Sequence, residues 1–494
     1  MDENIESMRQ LLELALSSGR KLKSAQTGYL HYSSNIAKNE PHLPIPLMEN
    51  FLFVLALLKS RVIENIQEAK TMLEGLLHFQ NKNNHDLAYG NFPLYMHEYP
   101  ACNDRYSAIH IACVFIQILK QFSQILGQDL KKKLVESLFL CFQQAFRAHS
   151  EKNAPFPVAI KIACVSILTG QIITDEELID RGEQMLETLK DNFDETYFYI
   201  PAALGSITVT LLMVYPRLSE SPWKFIWNYL QNTWHRGIAS YAGPGLKEWQ
   251  QKEEPQVTLY DLVCGYFSDA FSGRSFKERP LHLEAMLITV TDDRFRVMEY
   301  PLEIQGKIKG AKWLLHLEDC FAYSYIEKAH IELKPGYEKG FYPFKLLWGN
   351  KQRAHTFVCQ GGDAIAINFE SNEIIFHLEG NGEFEDREKA REIQFFLDVD
   401  QEQEFLVSDQ KASTFTMQDV VIIKDKQLEL DLSFEVLEGE GRFFGHRMLG
   451  NRPAQLENKG EARFDAYDWQ VFLRTLNRSE KCRVKIKWAL RTCS

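Results

Sequence analysis

His235, Arg236, Tyr241, Glu248 and Trp249 stand within fifteen positions of one another, around the breaker Gly243-Pro244-Gly245. An imidazole or a phenol can take or give a proton, and a guanidinium can fork onto a carboxylate. Aromatic faces can stack on a sugar ring. Glycine and proline hold such a stretch in a loop, where binding and catalytic groups concentrate. This is the set of groups that cleavage of a carbohydrate requires. His235 also has a structural reading, in which it and Trp234 close a helix that stops at Gly237.

A second set lies in Tyr89–His110, YGNFPLYMHEYPACNDRYSAIH. Tyr95, Tyr99 and Tyr106 can stack on sugars, and Arg105 can hold a carboxylate. Asn103 or Asp104 stands where a helix should begin, and the positive end of that helix attracts anions. The same residues also read as a plain N-cap with aromatics wedged against the helices. His110 follows Tyr106 by four residues on one helix face, either as a core histidine or as a catalytic group. In the C-terminal half, His355 follows Trp348 and reads as a cleft residue or as part of an exposed strand face. Residues 441–453, GRFFGHRMLGNRP, carry His446, Arg447, Asn451 and Arg452 and read as a loop that contacts an anionic sugar or as a solvated hairpin.

Bulk composition limits what these groups can serve. A chain of 494 residues is long enough for two or three domains with large cores. Its net charge of -11 argues against a nucleic-acid partner, and the one tight basic run, Lys131-Lys132-Lys133, reads as a solvated helix face. Nine cysteines, an odd number without a CxxC pair, fit reduced thiols rather than a disulfide framework or a structural zinc site. The N-terminal stretch is a charged amphipathic pattern without a signal-peptide core, and the longest apolar run, Phe51 to Leu58, is too short to span a bilayer. The expectation is a cytoplasmic protein with no membrane partner. Phosphate-loop, HExxH and GxSxG signatures are absent and the histidines lack metal-ligand spacing, so neither a metal nor a cofactor is expected.

The elements that position these groups change period along the chain. Apolar spacing predicts helices over 4–23, 45–61, 64–80, 104–125, 128–148, 155–169, 174–190, 200–214, 221–233 and 257–271, joined by short links into antiparallel hairpins. Thr174 and Glu177 predict a capped start for one of them. From about residue 283 the period becomes two. Segments such as KWLLHLED, HTFVCQ, EIIFHLEG, QLELDLSFEV and CRVKIKWAL predict antiparallel strands, with a hairpin turn at Gly380-Asn381-Gly382. The seam falls at 272–282.

Helical hairpins followed by many short strands resemble the polysaccharide lyases of the heparinase II/III, alginate and chondroitin types. Three segments carry the resemblance: Gly90-Asn91-Phe92 with Asn103-Asp104-Arg105-Tyr106, the His235–Pro244 stretch, and Leu347-Trp348-Gly349-Asn350 followed by His355-Thr356-Phe357. It implies an α+β multidomain protein, with an N-terminal α/α toroid over 1–275 and a C-terminal antiparallel β-sandwich over 283–494. It further implies metal-independent β-elimination on an acidic, uronate-containing polysaccharide or oligosaccharide. Asn103 would neutralise the uronate, His235 or Tyr241 would take the C5 proton, and Tyr241 would protonate the departing oxygen. Arg105 and Arg236 would orient the carboxylate, with Tyr95, Tyr106, Glu248, Trp249 and His355 as further substrate contacts. His235 and Tyr241 lie closer together in sequence than the corresponding residues of those lyases.

Two rivals fit the same residues. One is a glycoside hydrolase with Asp104 and Glu248 as its acid and base, a pair that must stand about 5–5.5 Å apart for retention or 6.5–9.5 Å for inversion. The other is a catalytically inactive carbohydrate-binding or scaffold protein. Substrate identity, endo or exo action and oligomeric state are written in no motif.

Overall fold

The computed structural model describes residues 12–13, 15–17, 19–31, 44–199, 201–238, 240–244, 299–308, 311–326, 344–350, 353–361, 364–368, 371–380, 393–397, 403–453 and 467–493. They fall into two compact units. A helical unit holds the residues up to Asp194 together with Ala202–Asn228, and a β unit holds Glu195–Pro201, 229–244 and the residues from 299 onward. The domain limits expected at 275 and 283 lie outside the described residues, as do the seam, Glu248, Trp249 and the expected helix 257–271.

In the helical unit, α1 (Leu47–Lys59), α3 (Ser107–Leu126) and α5 (Phe156–Ile173) are strongly apolar. The intervening α2 (Ile63–Leu76), α4 (Gln128–Glu151) and α6 (Glu176–Asp191) are amphipathic. Sequence dictates the division. The run Phe51 to Leu58 leaves no polar face, so α1 is buried on all sides. α2 buries only Ala69, Met72, Leu73 and Leu76, one helical stripe. Each apolar helix packs on the amphipathic one that follows it, and α3 packs on both α1 and α5. Gly182 lets α6 approach α5, since a Cβ there would come within 2.7 Å of the Ala163 carbonyl. α7 (Pro201–Val214) and α8 (Lys224–Thr233) follow. By length and composition α3 and α5 are apolar enough to cross a membrane, yet 67% and 61% of their apolar windows are buried inside the protein.

One cap differs from expectation. Asp175, not Thr174, caps α6 by accepting from the Leu178 amide at 3.2 Å. Thr174 closes the preceding helix in a left-handed conformation, at φ 61°.

The β unit contains two antiparallel sheets and a short hairpin of β1 (Trp234–His235) and β2 (Ser240–Tyr241). The strands of the sheets are β3 (Leu302–Ile308), β4 (Ala311–Leu317), β5 (Phe321–Ile326), β6 (Phe344–Asn350), β7 (Arg353–Gly361), β8 (Ala364–Asn368), β9 (Glu373–Leu378), β10 (Ile393–Leu397), β11 (Glu404–Val407), β12 (Thr414–Thr416), β13 (Val421–Lys424), β14 (Leu428–Glu438), β15 (Arg442–Pro453), β16 (Tyr467–Leu476) and β17 (Cys482–Thr492). Nine form the order β12-β15-β16-β10-β7-β6-β5-β4-β3, and six form β11-β13-β14-β17-β9-β8. Alternation produces the core: Leu428, Leu430, Leu432 and Phe434 of β14 join Phe344, Phe357 and Phe395 of the larger sheet in one apolar cluster. Residues 441–453, expected as a solvated hairpin, are instead strand β15. Gly445 sits directly opposite Phe415, whose ring fills the place a side chain would take. Of the expected turn, Gly380 is left-handed at φ 85°, and 381–382 lie outside the described residues.

Candidate functional site

The loop before α3 is organised from a distance. Asn91 is 1% exposed, and its Oδ1 accepts the Ala108 amide at 3.0 Å and the Ser107 hydroxyl at 2.9 Å. Its Nδ2 donates to the Asp104 carbonyl at 2.7 Å. Asn91 therefore supplies the cap that α3 lacks locally, since the residue preceding the helix, Tyr106, offers none. Gly90, at φ 91°, permits this, because a Cβ there would run into the Leu140 carbonyl. Asp104, one of the two residues expected to cap, accepts instead from the Tyr106 amide at 2.8 Å and turns the chain. Asn103 is exposed.

This loop borders a cavity of about 480 Å³ within the helical unit. Tyr95, Asp104 and His110 line it, joined by Glu49 from the first turn of α1 and Lys161 from α5. Met48, Ile111, Val209 and Met213 supply apolar wall. Lys161 Nζ donates to His110 Nδ1 at 2.9 Å, which leaves the imidazole hydrogen on Nε2. Burial, and then the Lys161 charge, hold His110 well below the usual histidine value, so it stays neutral. Burial raises the Glu49 carboxyl above its ordinary value, partly opposed by a hydrogen bond from its own backbone. Among the described residues neither Lys161 nor Glu49 has an ion-pair partner.

Tyr95 stacks on His97 with ring centroids 5.8 Å apart. Exposed Arg105 pairs with Glu151 at 3.5 Å. Tyr106 donates from its hydroxyl to the Lys152 carbonyl at 3.4 Å.

In the β unit, His235 is fully buried in the β1–β2 hairpin rather than closing a helix, since α8 ends at Thr233. Its Nε2 donates to the Glu318 carbonyl at 2.6 Å and its Nδ1 accepts the Ile238 amide at 3.0 Å. Its ring stacks on Tyr300 at 5.0 Å. Burial lowers its pKa despite these backbone contacts. Taking a substrate proton would first require one of the two bonds to break. Tyr241 is 2% exposed, and its hydroxyl meets the Tyr229 hydroxyl and the Pro244 carbonyl, each at 2.8 Å. Lys345 donates to the Tyr241 carbonyl at 2.6 Å and lies 5.0 Å from the ring centre. The Arg236 side chain is exposed, and its backbone amide donates to the Tyr300 hydroxyl at 3.3 Å. His355 lies on β7 with only 4% of its surface exposed, bonded to Gln403 at 2.9 Å and packed on Trp348.

Sequence reasoning missed Glu49 and Lys161. The signal was present: Lys161 is the single charged residue of α5, and Glu49 stands in the first turn of a helix dominated by the apolar run Phe51 to Leu58. A charge that interrupts a core helix calls for a partner or a ligand. Among the described residues no group of three or more His, Cys, Asp or Glu side chains is arranged to hold a metal ion.

No family model and no curated protein sequence matches the chain. Among solved structures it is similar to heparinase III, with a TM-score of 0.48 at 10% identity over 99% of this chain and 85% of that one. It is also similar to the Streptomyces coelicolor A3 chondroitin AC lyase solved with chondroitin sulphate, with a TM-score of 0.47 at 8% identity over 100% of this chain and 83% of that one. These structural neighbours are polysaccharide lyases.

Proposed function

We propose that the chain is a lyase-like enzyme that cleaves an acidic, uronate-containing polysaccharide or oligosaccharide by metal-independent β-elimination. One observation supports this reading above the others. Tyr95, Asp104 and His110, from a single loop-and-helix segment, line one cavity with an ammonium that has no carboxylate partner among the described residues. Elimination removes the C5 proton beside the uronate carboxylate, breaks the C4–O bond and leaves a C4–C5 double bond. Charge that builds on the carboxylate during this step is stabilised by a fixed cation or hydrogen-bond donor. Lys161 supplies the cation, and Asn103 is the neutralising amide in this reading. The proton-transfer roles given to His235 and Tyr241 require each to give up a present hydrogen bond. The same reading takes the helical hairpins as an α/α toroid over 1–275 and the two sheets as a β-sandwich over 283–494.

A second reading has its own support. Asp104 and Glu49 line the same cavity, and burial favours the protonated form of Glu49, as a general acid needs. Incubation with a panel of uronate polymers separates the two, because elimination creates unsaturated ends that absorb ultraviolet light and hydrolysis does not. New reducing ends without that absorbance would replace the lyase reading with the hydrolytic one.

A further inference from the structure

We infer that Lys161 binds the carboxylate of a single uronate ring inside the helical-unit cavity, with Glu49 as a second, hydrogen-bonding contact in the same cavity. This deepens the reading above and rests on its assignment of acidic sugars as substrates. Lys161 is half-buried, and an ammonium that faces a cavity in a core helix is normally paired. Lys161 is the one charged residue of α5, and its polar partner is the neutral His110 at 2.9 Å. No carboxylate among the described residues pairs with it, although Glu49 and Asp104 line the same cavity. The described protein therefore supplies a cation without its counter-ion. His110 takes one of the three ammonium hydrogens and fixes the direction of the others. A ligand carboxylate completes the set.

The walls narrow the ligand further. A volume of about 480 Å³ falls within the range of small-molecule sites. Met48, Ile111, Val209 and Met213 suit the C–H face of a sugar ring, and Tyr95 adds a phenol. The other titratable groups facing the cavity are Asp104, His110 and Cys113. With two carboxyl groups already present, the cavity accepts one anionic group and discriminates against a second.

Calorimetric titration of the full chain with glucuronate, and with glucose as the neutral probe, tests this. The expected result is saturable glucuronate binding, weakened about tenfold or more by Lys161→Met, the loss expected for one charge-assisted contact. Glucose should bind more weakly than glucuronate and respond little to that substitution. If Lys161→Met fails to fold, acylation of Lys161 in the unaltered protein serves: glucuronate should slow it and glucose should not. Absence of glucuronate binding, equal affinity for both sugars, or unchanged affinity in folded Lys161→Met overturns the inference. The polymer assay separates this failure from that of the lyase reading. Unsaturated ends formed equally well by Lys161→Met would leave elimination standing and remove Lys161 from it. Lys161-dependent glucuronate binding without any unsaturated product would do the reverse.

Discussion

Nζ of Lys161 lies 2.9 Å from Nδ1 of His110, and that contact fixes the charge of the cavity. The imidazole accepts from the ammonium, so protonating it would both break the bond and set two cations side by side. A neutral histidine thus holds a charged lysine in place, between α3 and α5, where the described residues provide no carboxylate to pair with it.

His110 and His235 should make the fold less stable in mild acid. Both have folded-state pKa values below the ordinary 6.5, with burial as the first cause. The unfolded chain therefore takes up protons that the folded chain refuses. Stability is fully present above about pH 6.5 and declines as pH falls from there toward the lowered folded values. Denaturant midpoints measured between pH 7.5 and pH 5 should fall, and both imidazoles should titrate below the ordinary 6.5 by nuclear magnetic resonance. Titration of either one near its ordinary value would contradict the burial described.

Glu49 has the opposite sign. Its folded-state pKa is raised by burial, so the folded chain binds a proton more tightly than the unfolded chain does. Its contribution is fully present below the ordinary value of 4.5, declines as pH rises from there, and is lost as pH passes the raised folded value. Glu49→Gln should accordingly raise the denaturation midpoint at pH 7, and the advantage should shrink on acidification. A variant destabilised at pH 7 would mean that the carboxylate has a partner.

Asn91→Ala should destabilise the helical unit by about 2–4 kcal/mol, through loss of a cap and exposure of unpaired buried groups. The Ala108 amide, the Ser107 hydroxyl and the Asp104 carbonyl all lose a partner. Thermal unfolding by circular dichroism gives the magnitude. Unchanged stability would show that the start of α3 does not depend on Asn91.

Tyr241→Phe should cost about 1–2 kcal/mol, the scale of a buried hydrogen-bond network losing one hydroxyl. The Tyr229 hydroxyl and the Pro244 carbonyl are the partners left behind. Burial, and then the neighbouring Tyr241, push the Tyr229 phenol far above its ordinary value, so Tyr229 remains un-ionised. Activity per folded molecule should fall about a hundredfold or more, the scale of a removed general acid or base, as the proton transfer proposed for Tyr241 requires. Activity within a few-fold of the unaltered protein would remove Tyr241 from the chemistry.

Much of this architecture is legible in the chain. Period 3.6 locates α1 to α8 within a few residues, and period two locates strands such as β14 and β17, because each buries one face. Three features were not legible for physical reasons. The cap of α3 comes from Asn91, sixteen residues before Ser107, and no local pattern reports a contact across a loop. Strand β15 carries Gly445, which reads as a breaker until Phe415 is seen covering it from the neighbouring strand. His235 and Tyr241 have the residue types of catalysis, yet the partners that occupy them, Glu318 and Tyr229, are revealed only by the fold. Conversely, Lys161 was visible as a lone charge in an apolar helix but carried no meaning until its cavity was known.

The most direct measurement is ultraviolet absorbance from newly formed carbon–carbon double bonds, while the full chain and its Lys161→Met variant are incubated with uronate polymers. A steady rise with the unaltered chain and a rate lowered about tenfold or more in the variant are the expected result. New chain ends without that absorbance, or no cleavage across the panel, would contradict it.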